Sequence, residues 1–244
     1  MTRLRVALGA ALVLLVTAPA FAQGTTWGVE GEVNTRYLWR GIPYSNDPVF
    51  QPYAWVTRGR NTLSVWSNLE MGSDVGDRRF DQVFFTATHV VERGRWRIEP
   101  TLQGYTWRGL PGEPGAKTLE LANKLARKIG VVSAVSTQTI DIGSYRGSSV
   151  VDAGLEWNPV LRGWRVESSA TAAWANRTFN RTYVGPDVRA FNYAQVSLAG
   201  TRAWRRGWYL RPHLDVVLNV DGQVREALGA RTRANIGLAL GREF

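Results

Sequence analysis

The chain has 244 residues, with 30 Lys and Arg against 20 Asp and Glu, a formal net charge of +10, 11 Trp and no Cys. An apolar fraction of 44% is too high for a disordered chain. The missing cysteine excludes a disulfide scaffold, a Cys-ligated zinc or iron–sulfur centre and a thiol nucleophile.

Residues 1–22 read as a cleaved secretory signal peptide. Arg3 and Arg5 form its basic start, Val6 to Val16 its apolar run, and Ala20-Phe21-Ala22 the small-x-small pattern that places cleavage before Gln23. Removal takes two Arg and no acid, leaving +8 on residues 23–244. These are expected to form one β-barrel domain, since nothing beyond the signal approaches the ~20 apolar residues of a membrane-spanning helix.

The rest of the chain alternates apolar and polar residues with period two. In the first segment Trp27, Val29, Val33, Tyr37 and Trp39 oppose Glu30, Glu32, Asn34, Arg36 and Arg40. Similar segments follow near 49–58, 61–72, 80–93, 95–107, 117–126, 129–141, 149–158, 163–177, 190–204, 207–221 and 231–244. In the eleventh, Trp208, Leu210, Leu214, Val216, Leu218 and Val220 oppose Tyr209, Arg211, His213, Asp215, Asn219 and Asp221. The segments near 49–58, 80–93 and 129–141 alternate less cleanly and assign no inward residues. Around 117–128 a strand competes with a helix: Leu119, Leu121 and Leu125 alternate with Glu120 and Lys124, yet the stretch is rich in helix formers. Twelve strands are expected, ten if that stretch is a helix. Most reach the 9–11 residues or so that a tilted membrane-crossing strand needs.

Connections after even strands are short and basic, as in Arg58-Gly59-Arg60-Asn61, Arg93-Gly94-Arg95 and Arg205-Arg206-Gly207. Those after odd strands, such as Gly72 to Arg79, Gly109 to Gly115, Phe179 to Arg189 and Asp221 to Gly229, are longer. Short periplasmic turns and longer extracellular loops are the asymmetry of an antiparallel up-and-down transmembrane barrel in the bacterial outer membrane. Trp27, Trp55, Trp96, Trp157, Trp164, Trp204 and Trp208 lie near the short-turn ends, and Trp39, Trp107 and Trp174 near the long-loop ends. Two such bands suit the two lipid interfaces. The basic turns suit attraction to outer-membrane lipid phosphates, and no nucleic-acid partner is expected.

Asn34-Thr35-Arg36-Tyr37-Leu38-Trp39-Arg40-Gly41-Ile42, Pro48-Val49-Phe50-Gln51-Pro52 and Leu63-Ser64-Val65-Trp66-Ser67-Asn68 resemble the start of the TorF-type porin family. The resemblance covers about residues 27–70 and implies an outer-membrane pore without naming a solute. The terminal Phe244 is similar to the aromatic by which barrel-assembly machinery recognises its clients.

Catalytic signatures are missing. The two histidines, His89 and His213, have no Ser within four positions, and no nucleophile elbow, zinc-binding His-Glu-x-x-His or phosphate-binding Gly loop occurs. No enzyme, cofactor or metal site is expected. The expected function is a channel for passive diffusion of small hydrophilic solutes or ions. A barrel plugged by salt bridges, with a structural or envelope-assembly role, is the alternative, and a barrel enzyme ranks third. The candidate pore-lining cations are Arg36, Arg40, Arg97, Lys124, Arg165, Arg211, Arg231 and Arg233, with His213 beside them. The candidate carboxylates are Glu30, Glu32, Glu99, Glu120, Glu167 and Asp215. Pore against plug turns on whether Arg97, Arg165 and Arg211 find partners across the lumen.

Overall fold

Period-two alternation commits each segment to extended backbone with one wet and one apolar face. In hydrocarbon the backbone groups of such strands are satisfied only by a neighbour on each side, which means closure. A computed structural model describes residues 24–72, 80–107 and 116–244. The expected signal peptide and the loop segments 73–79 and 108–115 lie outside the described residues. The strands are β1 (Thr25–Asn34), β2 (Val49–Arg58), β3 (Asn61–Glu70), β4 (Phe80–His89), β5 (Trp96–Trp107), β6 (Ala116–Ile129), β7 (Val132–Asp141), β8 (Ser149–Trp157), β9 (Trp164–Ala175), β10 (Ala190–Ala203), β11 (Trp208–Asn219) and β12 (Thr232–Glu243). Each pairs antiparallel with the next, and β12 pairs with β1 to close a twelve-stranded barrel.

Residues 117–128 are strand. Leu119 and Leu121 point outward, while Thr118 and Glu120 are buried inside. The helix formers there yield to the two flanking ladders, with β5 and β7, that only an extended chain can complete.

Three short turns are two residues long and begin with a glycine at positive φ: Gly59 (59°), Gly94 (61°) and Gly130 (63°). A tight hairpin needs that left-handed backbone to match the twist of its strands, and glycine takes it without steric cost. The basic residues Arg58, Arg60, Arg93, Arg95, Arg127, Lys128, Arg162, Arg205 and Arg206 are all exposed at this rim. Arginines of this rim, Arg127 of that set and Arg202 and Arg242 beside it, lie against outward indoles. Arg127 lies over Trp96 (5.4 Å), Arg202 over Trp164 (5.7 Å) and Arg242 over Trp208 (5.6 Å). Above them the outer surface is apolar, with Leu63, Phe85, Val196, Ile236 and Leu238 each at least half exposed.

The barrel seam is tied at the C-terminus. Phe244 stacks on Trp27 with centroids 3.9 Å apart and planes 7° from parallel, Arg242 sits 4.2 Å over its other face, and the Phe244 N–H donates to the Trp27 carbonyl at 2.8 Å. Phe244→Ala removes a stack and a cation–π contact, so it is expected to lower stability by about 1–2 kcal/mol. The urea midpoint of protein refolded into lipid vesicles measures this, and an unchanged midpoint would contradict it.

On the long-loop side the alternation predicts a first strand running to residue 40, but the chain leaves the wall after Asn34. Residues Tyr37–Trp39 and Ile42–Ser45 form a separate two-stranded hairpin. Gly41 (φ 79°) and Pro43 break the continuous extension there, and Gly41 sits against the Tyr193 ring, where a Cβ would clash. The loop after β9 holds α1 (Arg177–Tyr183), capped by Asn176, and the loop after β11 holds α2 (Gly222–Leu228), capped by Asp221. Asp221 therefore caps a helix rather than extending β11. Ile42 of the hairpin and Phe179 of α1 pack with Tyr193, Val150 and Val217 of the wall in a buried apolar cluster. The core of this protein thus fills the long-loop half of the lumen.

Three of the expected girdle positions differ in direction. Trp55 and Trp107 share the inward parity of Tyr53 and Tyr105, and Trp39 belongs to the hairpin, so these three rings face the interior. The outward band at the short-turn rim consists of Trp27, Trp96, Trp157, Trp164, Trp204 and Trp208, of which Trp96, Trp157, Trp204 and Trp208 are markedly exposed.

Candidate lumen site

Toward the short-turn rim the inner face of β12 is made of Gly237, Ala239 and Gly241, with almost no side chain to occupy the space above them. Each is flanked in register by a large polar residue on either side: Asn34 and His213 at Gly237, Glu32 and Arg211 at Ala239, Glu30 and Tyr209 at Gly241. Side chains of β1 and β11 therefore meet over β12. Arg211 Nη2 donates to Glu30 (2.6 Å) and Glu32 (2.8 Å), and the Tyr209 hydroxyl donates to Glu30 (2.8 Å). His213 sits between Glu32 (3.0 Å) and Asp215 (3.0 Å), with the Asn34 side-chain oxygen at 2.9 Å. Ser197 donates to Asp215 at 2.6 Å. In the other direction Asn34 donates to Gln51 (3.0 Å), which donates to Asn68 (2.8 Å). One polar belt thus runs from β10 to β3.

The belt also bears on catalysis. His213 has carboxylates beside it, as an acid–base or triad site would need, but Ser197 bonds the carboxylate and not the imidazole. Both ring nitrogens are engaged by Asp215, Glu32 and Asn34, and among the described residues no hydroxyl lies within hydrogen-bond reach of His213. A nucleophile activated by this histidine is not assembled. Among the described residues no group of three or more His, Asp and Glu has a metal-holding arrangement.

The remaining expected lumen residues fall into three sets. Lys124 reaches over β7 to Glu156, while Arg97 bonds Glu92 and Glu99 within its own hairpin and Arg165 faces Glu167 on its own strand at 3.6 Å. Of the three arginines posed as the test of a plug, only Arg211 finds carboxylates beyond its own hairpin. Arg36 lies past the end of β1, its N–H bonded to the Asn235 side chain, and Arg231 lies before β12. Arg233 is on β12 and donates to the Leu228 carbonyl beside α2.

Arg40 departs furthest from the expected wall position. From the hairpin tip it extends across the lumen to Glu120 on β6, with two parallel bonds of 2.9 and 2.6 Å. Burial opposes the Arg40 charge, but the two bonds to Glu120 outweigh it and hold its pKa above the ordinary arginine value. Tyr105 donates to the same carboxylate at 2.9 Å, and its hydroxyl lies 2.8 Å from that of Tyr183 in α1, whose pKa burial raises. Trp39 completes the cluster, with its ring 4.3 Å from the Arg40 guanidinium.

Below this plug lies a cavity of about 780 Å³, lined by Glu30, Glu32, Arg211, His213 and Asp215 on one flank and by Tyr53, Trp55 and Trp66 on another, and reaching Asn158 in a short turn. Closure, strand number and interior polarity together match one known architecture. The fold is that of an outer-membrane barrel. The described structure is similar to that of the KdgM porin in complex with disordered oligogalacturonate, at a TM-score of 0.52 and 9% identity over 90% of this chain and 99% of that one. It is also similar to the NanC porin, at a TM-score of 0.50 and 10% identity over 88% of this chain and 97% of that one. No family model and no curated protein sequence matches the chain.

The residues missed from sequence are mainly Tyr53, Trp55, Trp66 and Tyr105. Tyr53 and Trp55 sit on a strand whose alternation is blurred by aromatics on the inner face, where the rule expects polar residues, and Trp66 is a lone ring among the polar inward residues of β3. Tyr105 is hidden in the same way, as a ring facing inward from β5.

Proposed function

We propose that this protein is an outer-membrane channel of the porin kind, related to the TorF-type family, that carries small hydrophilic solutes or ions through a narrow, charged lumen. In this reading it resides in a bacterial outer membrane, its basic short-turn rim meets lipid phosphates, and Phe244 is presented to barrel-assembly machinery during insertion. The observation that carries the reading is the cavity of about 780 Å³, lined by charged side chains and reaching Asn158 in a short turn. The porin neighbours support it through fold. No catalytic role is assigned to any residue. A second reading, a barrel that does not conduct, is favoured by the hairpin and its Arg40–Glu120 pair, which fill the long-loop half.

Single-channel recording in a planar bilayer under a salt gradient separates the two. Small discrete steps are expected. The reversal potential is expected to show cation preference, because Glu30, Glu32, Glu156, Glu167 and Asp215 face Lys124 and Arg211 around the cavity. Replacing Glu30 and Glu32 together by Gln is expected to move the reversal potential toward anions. Silence from folded, heat-modifiable protein would sink the channel and establish the second reading.

A further inference from the structure

The charged belt forms only one flank of the cavity. On the other, Tyr53 and Trp55 of β2 stack at 5.2 Å with planes 21° apart, and Trp66 of β3 is the register partner of Tyr53. Tyr53 and Trp66 also border a second lumen cavity of about 470 Å³. From Trp66 the rings continue along the inner wall to Phe84 (5.0 Å) and Tyr105 (4.8 Å), up to the plug. A water-filled conduit for simple ions has no use for indoles on its wall. Rings are costly to hydrate, and Tyr53, Trp55 and Trp66 are only partly covered by their neighbours.

Because Glu30 is the register partner of Tyr53, a solute against this wall meets flat apolar faces side by side with fixed carboxylate and guanidinium groups. Few hydrophilic molecules are built that way. A pyranose is: its axial C–H bonds make an apolar face, and its equatorial hydroxyls form a rim in which each group both donates and accepts. Neighbouring hydroxyls match the paired oxygens and nitrogens of Glu30, Asp215 and Arg211, which are held before any solute arrives, Arg211 by Glu30 and Asp215 by Ser197 and His213. The volume of about 780 Å³ lies in the range of roughly 300–1,000 Å³ of small-molecule sites. Charge narrows the class further. Five carboxylates against two permanent cations repel an acidic sugar.

We propose that this cavity is a binding site for uncharged saccharides, which stack on Tyr53, Trp55 and Trp66 and bond through their hydroxyls to Glu30, Arg211 and Asp215. The proposal rests on the channel reading, for which it supplies the solute class. The test is isothermal titration of the detergent-folded protein with glucose, galactose, maltotriose and cellotriose, and with digalacturonate as the acidic probe, alongside bilayer recordings on the same preparation. At least one neutral sugar is expected to bind in the millimolar range and digalacturonate about tenfold more weakly. Trp66→Ala and, separately, Tyr53→Ala are expected to weaken the neutral sugar about tenfold while leaving the heat-modifiable gel shift intact. Binding of none of the neutral sugars, tighter binding of digalacturonate, or equal binding by the folded ring variants would overturn the proposal. Conduction without sugar binding would remove the saccharide site and leave the channel, whereas a protein that binds sugar but does not conduct would remove the channel and leave the site.

Discussion

Arg40→Ala is expected to raise the single-channel conductance several-fold and to make the hairpin over Tyr37–Ser45 a site of protease cleavage. Glu120 is 2% exposed and Arg40 16% exposed, and their paired bonds are the polar tie between the hairpin tip and the far wall. Removing one member of a buried pair leaves the other charge uncompensated, at a cost of about 3–5 kcal/mol. The wall cannot relax, because β6 is laddered on both sides. The hairpin can, because it pairs only with itself. The cost is therefore met by the hairpin leaving the lumen, which lets water reach Glu120. Arg40→Lys is expected to fall between wild type and Arg40→Ala, since an ammonium does not reproduce the fork that engages both carboxylate oxygens. Unchanged conductance and unchanged proteolysis in folded Arg40→Ala would show that apolar packing of Ile42 and Phe179 holds the plug unaided.

Gly237→Val is expected to destabilise the barrel by about 2–5 kcal/mol, the sum of overpacking and of hydrogen-bond partners left unsatisfied. A Cβ at position 237 would collide with His213 Nε2 and the Asn34 side-chain oxygen, the contact at the middle of the belt. Displacing the imidazole strips Glu32 and Asp215 of a shared partner and opens the route by which β11 grips β1. Gly104→Ala is the matched control. Its Cβ would meet nothing closer than Leu119 Cδ1 at 3.6 Å, so a change within about 0.5 kcal/mol is expected. Urea midpoints of both variants in vesicles provide the comparison. Equal midpoints would mean that the space over β12 is incidental.

Much of this architecture is legible in the alternation itself. All twelve strands arise at the segments that period two marks, the first stopping at Asn34 short of its expected end, and the contrast of short and long connections orients them. The Leu119, Leu121 and Leu125 stripe even overrides a helix-forming composition, since intrinsic propensity is weaker than the demand for two ladder partners. The hairpin was not legible for a definite reason. The inward–outward parity of Asn34, Arg36, Tyr37 and Arg40 continues that of β1, and nothing local distinguishes a strand that crosses the rim from one that turns back under it. Arg40 and Glu120 are 80 residues apart, so their pairing belongs to the closed barrel and to no segment of it. The inward rings of β2 and β3 escaped because lumen walls are read as polar. One signal did lie in plain view: Gly237, Ala239 and Gly241 alternate with Ile236, Leu238 and Leu240, and small residues at three successive inward positions mark a strand whose neighbours need its space.

That row of small residues has a consequence for how the protein comes into being. Arg211 and Glu30 are 181 residues apart, on strands that flank the closing one, so no part of the belt between β1 and β11 exists in an open sheet. The cavity is born with the last hydrogen-bonded ladder, when the two ends of the chain find each other. The approaching ends of the sheet carry opposite charge, Glu30 and Glu32 on the edge strand β1 and Arg211 on β11, one strand in from the other edge, which draws them together over a distance that salt shortens to ~8 Å at physiological strength. Closure and the making of the site are a single cooperative event: the membrane holds the finished vestibule or none of it.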